Sequence, residues 1–337
     1  MLSLCLAKWL AAAAGAMLAV CGMAGTTDAG TGYSYARIPT NGVSYITGQP
    51  AAPMLTARIS CLPEWMHVSW GGTLTTERPN QRFALDNRTL SAATTCGSAE
   101  YDITAALANE IVGGKLDLRF SVVGAPHAEY SFFIRGKNPL DATARAYIDE
   151  NVDAEFQGYA WMIAKHESKS WNRVYNQFNA KEDSYKELPF KGDGASNWGW
   201  GICQIDRGSN NWHTAEIYDW HENVAAMNAT LRQKASDYER FIGYYRNAYQ
   251  NDPSTQWIEP TTVSTNMNGY IVSAKMWGVM TLYNGAENVP RQTIPGVSPR
   301  VRSPLQFNPA TTNWIFHTNI RNYVPVVLGD RNGSEVE

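Results

Sequence analysis

The sequence predicts an α+β chain of two domains, a small antiparallel β-sandwich followed by a mainly α-helical domain. Three observations predict it. Apolar residues recur at every second position from about residue 30 to 136, as in strands that bury one face. After about residue 140 they recur at steps of three and four, the spacing of one helix face. Between the two patterns stands Arg135-Gly136-Lys137-Asn138-Pro139, the kind of Gly/Pro break that separates folded units.

The N-terminal "MLSLCLAKWLAAAAGAMLAVCGMAG" carries one lysine, an apolar run and then small residues, with Gly22-Met23-Ala24 as a cleavage site. Residues 1–24 therefore read as an export signal, which places the protein in the periplasm or cell envelope. A membrane anchor would need about 20 consecutive apolar residues, and Lys8 interrupts the run early. Leu18-Ala19-Val20-Cys21 is similar to a bacterial lipobox, although Val20 stands where a small residue usually precedes the cysteine. Membrane attachment is expected only if Cys21 is lipidated. Exported chains form disulfides; Cys61 with Cys96 is the expected pair, since both fall in the first domain, and Cys203 is then a buried thiol.

In the first domain, residues 25–136, Leu55, Ala57, Ile59 and Cys61 alternate with polar neighbours. Leu116, Leu118, Phe120 and Val122, then Gly124-Ala125-Pro126-His127, then Tyr130, Phe132 and Ile134 spell a hairpin. Asn41-Gly42, Trp70-Gly71-Gly72 and Arg78-Pro79-Asn80 are the expected turns. This domain shows no catalytic constellation, and adhesive, spacing and scaffold roles all stay open.

Residues 140–330 form the second domain, and everything in it reads as helical. Phe156, Ala160, Ile163 and Ala164 share one face, on which Glu167 is the next position. Val224, Met227, Leu231, Ala235, Tyr238, Ile242 and Tyr245 mark a long amphipathic helix. Residues 267–283 are apolar nearly all round and stop at Asn284-Gly285, as a buried central helix with a glycine C-cap would.

Composition excludes some functions. A net charge of -3, from 28 Lys and Arg against 31 Asp and Glu, leaves no basic field for nucleic-acid phosphates. His166, His213 and His221 lack tight ligand spacing, so neither a metal site nor a cofactor is expected. Twelve tryptophans suit sugar rings, but ordinary core and interface packing accounts for most of them.

A carboxylate on an apolar helix face is partly desolvated, which disfavours its charged form and equips it to deliver a proton near neutral pH. The competing reading of Glu167 is an ordinary ion pair. Four further stretches bear on it: "NWGWGICQID" with Gly201-Ile202-Cys203-Gln204, "WHENVAAMNATLRQ" with Asn223-Val224, "LYNGAEN" with Tyr283-Asn284-Gly285, and "RNYVPVVL" with Tyr323. With Glu167-Ser168, these five in this order resemble the motifs of soluble-type lytic transglycosylases, in the lysozyme-like superfamily. The resemblance covers roughly residues 150–330. It departs where Ala286 replaces a second glycine after Tyr283-Asn284-Gly285, and where "NAKEDSYKELPFKGDGASNW" lengthens the stretch between Glu167 and Gln204.

The resemblance implies a lysozyme-like catalytic domain acting on peptidoglycan glycan strands, at the β-1,4 bond between N-acetylmuramic acid and N-acetylglucosamine. Glu167 would act as general acid and then general base, closing a 1,6-anhydro ring. Ser168 and Gln204 would hydrogen-bond near the acid or the substrate, Tyr283 and Asn284 would line the cleft, and Tyr323 would orient Glu167. Asn223 reads as structural, preceding a long helix. Two alternatives stay open: a hydrolysing muramidase that uses Asp193 or Asp206 as a second carboxylate, in the region where goose-type lysozymes carry acidic residues, and an inactive glycan-binding protein. Asp193 in Gly192-Asp193-Gly194 equally suits a solvated turn.

Overall fold

The computed structural model describes residues 26–27, 34–36, 42–52, 55–60, 67–75, 87–95, 98–107, 110–122, 128–170, 173–181, 186–192, 199–207, 213–264, 271–284, 289–317 and 323–329. The expected export signal, Cys21, Cys61, Cys96, the Arg78-Pro79-Asn80 turn and Asp193 lie outside them. The chain is mixed α and β, with seven helices and several small sheets among the described residues. It divides into two compact units, Met1–Lys137 and Asn138–Glu337.

The first unit contains β1 (Thr26–Thr27), β2 (Ser34–Ala36), β3 (Val43–Ile46), β4 (Thr56–Ser60), β5 (His67–Thr75), β6 (Asn87–Thr95), β7 (Ser98–Asp102), the short helix α1 (Ile103–Ala106), β8 (Gly114–Val122) and β9 (Ala128–Gly136). Two sheets result, in the orders β1-β2-β4-β7 and β3-β9-β8-β5-β6. The β8–β9 hairpin sets Leu116 opposite Phe132, and both are buried, as cross-strand partners on one inward face should be. Two expectations are corrected here. Pairing is not wholly antiparallel, because β3 runs parallel to β9; the long connection between them imposes no hairpin and permits either sense. Trp70-Gly71-Gly72 is no turn but the middle of β5. A Cβ on Gly72 would lie 2.7 Å from the Asp117 carbonyl oxygen, so glycine serves close strand approach there.

The second unit is built on α2 (Asp141–Asn151), α3 (Ala160–Glu167), α4 (Thr214–Tyr218), α5 (Trp220–Tyr249), α6 (Ala274–Tyr283) and α7 (Tyr323–Gly329). It is not helical throughout. Three antiparallel pairs, β10 (Thr262–Ser264) with β11 (Ile271–Ser273), β12 (Arg291–Gln292) with β13 (Val301–Arg302), and β14 (Leu305–Asn308) with β15 (Asn313–Phe316), interrupt it. Strands of two to four residues are too short to show a period. α6 also begins later than expected, at Ala274, because Ser273 caps it by accepting from the Met276 N–H at 3.1 Å. Phe156 precedes α3 rather than joining it.

α5 starts where the Asp219 side chain accepts from the His221 N–H at 2.8 Å. Its inward stripe buries Val224, Met227, Leu231, Ala235, Tyr238, Ile242 and Tyr245, each large aliphatic side chain contributing about 1.5–3 kcal/mol. One core cluster joins Ala164 of α3, Met227 of α5, Val279 of α6 and Val327 of α7. α6 meets α5 closely at Gly278, where a Cβ would fall 2.4 Å from Tyr238 Cδ2. No described helix is long and apolar enough to cross a membrane.

The Gly278 contact yields the first prediction. Tyr238 is buried and its ring is rigid, so Gly278→Ala must push α6 off α5, at about 1–3 kcal/mol. Thermal denaturation should register a Tm drop of several degrees, and an unchanged Tm would show that the crossing can relax.

Candidate functional site

The site begins where α3 ends. Residues 160–164 are buried all round, so the face that Ala160, Ile163 and Ala164 share with Glu167 belongs to a helix with no polar side over that stretch. Glu167 is the half-buried last residue of this core helix. A carboxylate there faces the negative end of the helix dipole and needs donors. Two arrive from distant parts of the chain. The hydroxyl of Tyr323, first residue of α7, donates to Glu167 Oε1 at 2.6 Å, and the amide of Asn284, the C-cap of α6, donates to the same oxygen from Nδ2 at 3.3 Å. The His166 ring meets the Tyr323 ring edge to face at 5.2 Å.

Ser168 does not face the site. It is fully buried, and its hydroxyl donates back to the Ala164 carbonyl at 2.8 Å. Its own carbonyl accepts from Asn176 Nδ2 at 2.7 Å. A serine just past a helix end satisfies the last carbonyls in this way, which fixes the exit of the chain beyond Glu167.

Gly201-Ile202-Cys203-Gln204 forms a tight turn. Trp200 and Ile205 close it with reciprocal backbone bonds of 3.2 and 3.1 Å. Gly201 has φ +72° and Gln204 φ +50°, left-handed values that glycine adopts freely and glutamine does not. Gln204 Nε2 donates to the Gly201 carbonyl at 2.8 Å, and its buried Oε1 accepts no hydrogen bond. Tyr283, half-buried, donates its hydroxyl to the Cys203 carbonyl at 2.7 Å. Asn223 is not a cap before α5 but a fully buried residue within it. Its Oδ1 accepts from the Cys203 N–H at 2.8 Å, and its Nδ2 donates to the Trp200 and Glu216 carbonyls, each at 2.9 Å.

Glu167, Asn284 and Tyr323 are thus brought to one oxygen, while Tyr283 and Gln204 meet at the adjoining turn. Asp206 is exposed, two residues beyond Gln204. Cys203 is a buried free thiol. Among the described residues no group of three His, Cys, Asp or Glu side chains gathers to hold a metal; His213 is exposed just before α4, and His221 stacks on Tyr147 at 4.0 Å. Sequence reasoning missed the Cys203 carbonyl as the acceptor for Tyr283, a backbone role with no side-chain signature. It also missed Gln177, one polar residue in a polar stretch.

Burial pushes the Tyr283 and Tyr323 hydroxyls and the Cys203 thiol well above their ordinary values, and the nearby Glu167 charge pushes them further. All three keep their protons at neutral pH, so Tyr323 stays a donor to Glu167. Compared with known proteins, the chain matches no protein-family model and no curated sequence.

Tyr175, Tyr238 and Tyr245 are also pushed up by burial, which gives a pH dependence with a definite sign. In the unfolded chain a tyrosine ionises near about pH 10, before these five do in the folded one. Their contribution is complete below that value and is lost as pH rises towards the folded-state values. Urea denaturation should give a smaller unfolding free energy at about pH 11 than at about pH 8, with phenolate absorbance of the buried set appearing at the unfolding transition. Equal stability at both values would show that these hydroxyls are not held protonated.

Proposed function

We propose that the protein is a peptidoglycan lytic transglycosylase whose second unit is a lysozyme-like catalytic domain and whose first unit is a β-sandwich. The observation that carries the reading is the convergence on Glu167 Oε1 of Tyr323 and Asn284, 156 and 117 residues further along the chain. These are the residues that the motif resemblance assigns to the acid and its surroundings. With Gln204 and Tyr283 at the neighbouring turn, four of the five resembling motifs supply side chains to one place, and the fifth, through Asn223, braces it.

The chemistry that the resemblance implies is compatible with this bonding. Both donors occupy Oε1, so the transferable proton of the neutral carboxyl belongs on Oε2. Glu167 gives that proton to the glycosidic oxygen as the bond to the anomeric carbon breaks, and the sugar's own N-acetyl oxygen closes on that carbon. No protein nucleophile is required, which departs from the usual pair of carboxylates. Glu167, now ionised, takes the C6 hydroxyl proton while O6 displaces the N-acetyl oxygen and forms the 1,6-anhydro ring. Tyr323 and Asn284 stabilise the ionised intermediate state, each charge-assisted bond contributing about 1.5–3 kcal/mol. The substrate's place is the periplasm or cell envelope, in keeping with the expected export signal.

Mass spectrometry of muropeptides released from purified peptidoglycan tests this. Wild type should release products ending in 1,6-anhydro-muramic acid, Glu167→Gln should lower the rate by about 10²–10⁴-fold, and Tyr323→Phe by about 10–100-fold. Reducing-end products would replace the transglycosylase with a hydrolysing muramidase, and Asp193 and Asp206 would then be the next substitutions. Release at the wild-type rate by Glu167→Gln would overturn the assignment of the acid.

A further inference from the structure

We infer that Gln177 is a positioning residue that holds the Gly201–Gln204 turn in place beside Glu167, an assignment whose catalytic meaning rests on the reading above. Gln177 lies outside all the motifs, in the long stretch between Glu167 and Gln204. It is fully buried, an uncommon place for a glutamine, and both ends of its amide are used. Oε1 accepts from the Ile202 N–H at 3.0 Å, and Nε2 donates to the carbonyls of Ile217 at 2.7 Å and Glu216 at 3.2 Å.

The backbone of the same stretch reaches the turn again. The Phe190 N–H donates to the Gln177 carbonyl at 2.8 Å, and the Gly201 N–H donates to the Phe190 carbonyl at 2.8 Å. Asn223 takes the next N–H, that of Cys203. Three consecutive backbone donors, at 201, 202 and 203, are therefore satisfied from outside the turn, where burial would otherwise leave them unpaired. The fit is close: a Cβ on Gly201 would lie 2.5 Å from Gln177 Oε1 and 2.7 Å from Nε2.

What hangs on the turn gives the clamp its consequence. The Cys203 carbonyl anchors Tyr283, whose neighbour Asn284 donates to Glu167, and Gln204 presents its unpartnered Oε1. The turn has two left-handed residues and no helix or strand of its own to hold it. A displacement transmitted through Tyr283 and Asn284 would misplace the acid's donors, and misplacement of about 1 Å can cost about 10²-fold in rate.

The test uses the full chain with Gln177→Glu, which keeps the shape but sets an oxygen against two carbonyls, and Gln177→Met, which keeps the length and removes both functions. Muropeptide release is measured per folded molecule, the folded fraction being taken from denaturation curves. Alkylation of Cys203 by iodoacetamide, located by peptide mass spectrometry, reports on the turn directly. Both variants should lose about 10–100-fold in release and alkylate Cys203 about ten-fold faster or more. Adding Gln204→Ala should not compound the loss, since both residues act through one turn. A residue that only fills core would give multiplicative losses and leave Cys203 protected until global unfolding. Wild-type release by both variants, unchanged Cys203 alkylation or multiplicative losses each overturn the inference. If wild type releases no muropeptide, the peptidoglycan reading fails separately, and the Cys203 alkylation rate still decides whether Gln177 holds the turn.

Discussion

The 2.6 Å hydrogen bond from the Tyr323 hydroxyl to Glu167 Oε1 is the constraint on which the candidate site's arrangement depends. With the Asn284 bond to the same oxygen, it brings the end of α3, the end of α6 and the start of α7 to one point. A carboxylate at a helix C-terminus is unfavourable on its own, and an isolated α3 would gain nothing from ending there. The position becomes tolerable because Asn284 and Tyr323 supply donors, and both are themselves fixed by helix boundaries. The geometry of one oxygen thus reports how three helices pack.

That packing is set by apolar burial rather than by the site. Ala164, Met227, Val279 and Val327 share a core, and the α5–α6 approach at Gly278 determines where α6 can stop. The polar residues around the acid divide the work differently. Ser168 looks like a site residue by motif but, like Asn223, which reads as structural, spends its hydrogen-bonding groups on backbone. Tyr283 bonds to the turn, and Tyr323 and Asn284 bond to Glu167. Low-dielectric surroundings make this separation consequential, because a buried polar atom left without a partner costs about 1–3 kcal/mol. The buried Gln204 Oε1, which accepts no hydrogen bond, contrasts in this with the Ser168 hydroxyl and the Asn223 amide.

The turn from Trp200 to Ile205 is the second structural dependency. It belongs to no regular element, so its donors are satisfied by side chains and by the neighbouring strand-like segment. Gln177 and Asn223, 46 positions apart by their numbering, act as a pair of buried amides on its two central N–H groups. Such networks specify one conformation when complete and destabilise it when one member is lost.

Local pattern was legible wherever one residue's surroundings are mainly its own element. The period of α5 named its buried stripe, alternation named the β8–β9 hairpin, and the motif series named Glu167, Asn284 and Tyr323 as a group worth examining. Elements too short to show a period escaped, as β10 to β15 did. So did glycines whose purpose lies across a strand or helix, as at Gly72 in β5. Sequence by itself determined the mixed α and β class and which residues are candidates for chemistry, because side-chain identity and spacing are local properties. Only the tertiary structure decided that Ser168 turns inward, that two donors share Oε1, and that the Gln177 amide bonds to the Ile202 N–H. Those are distances between residues far apart in the chain, set by how helices pack and not by any spacing along it.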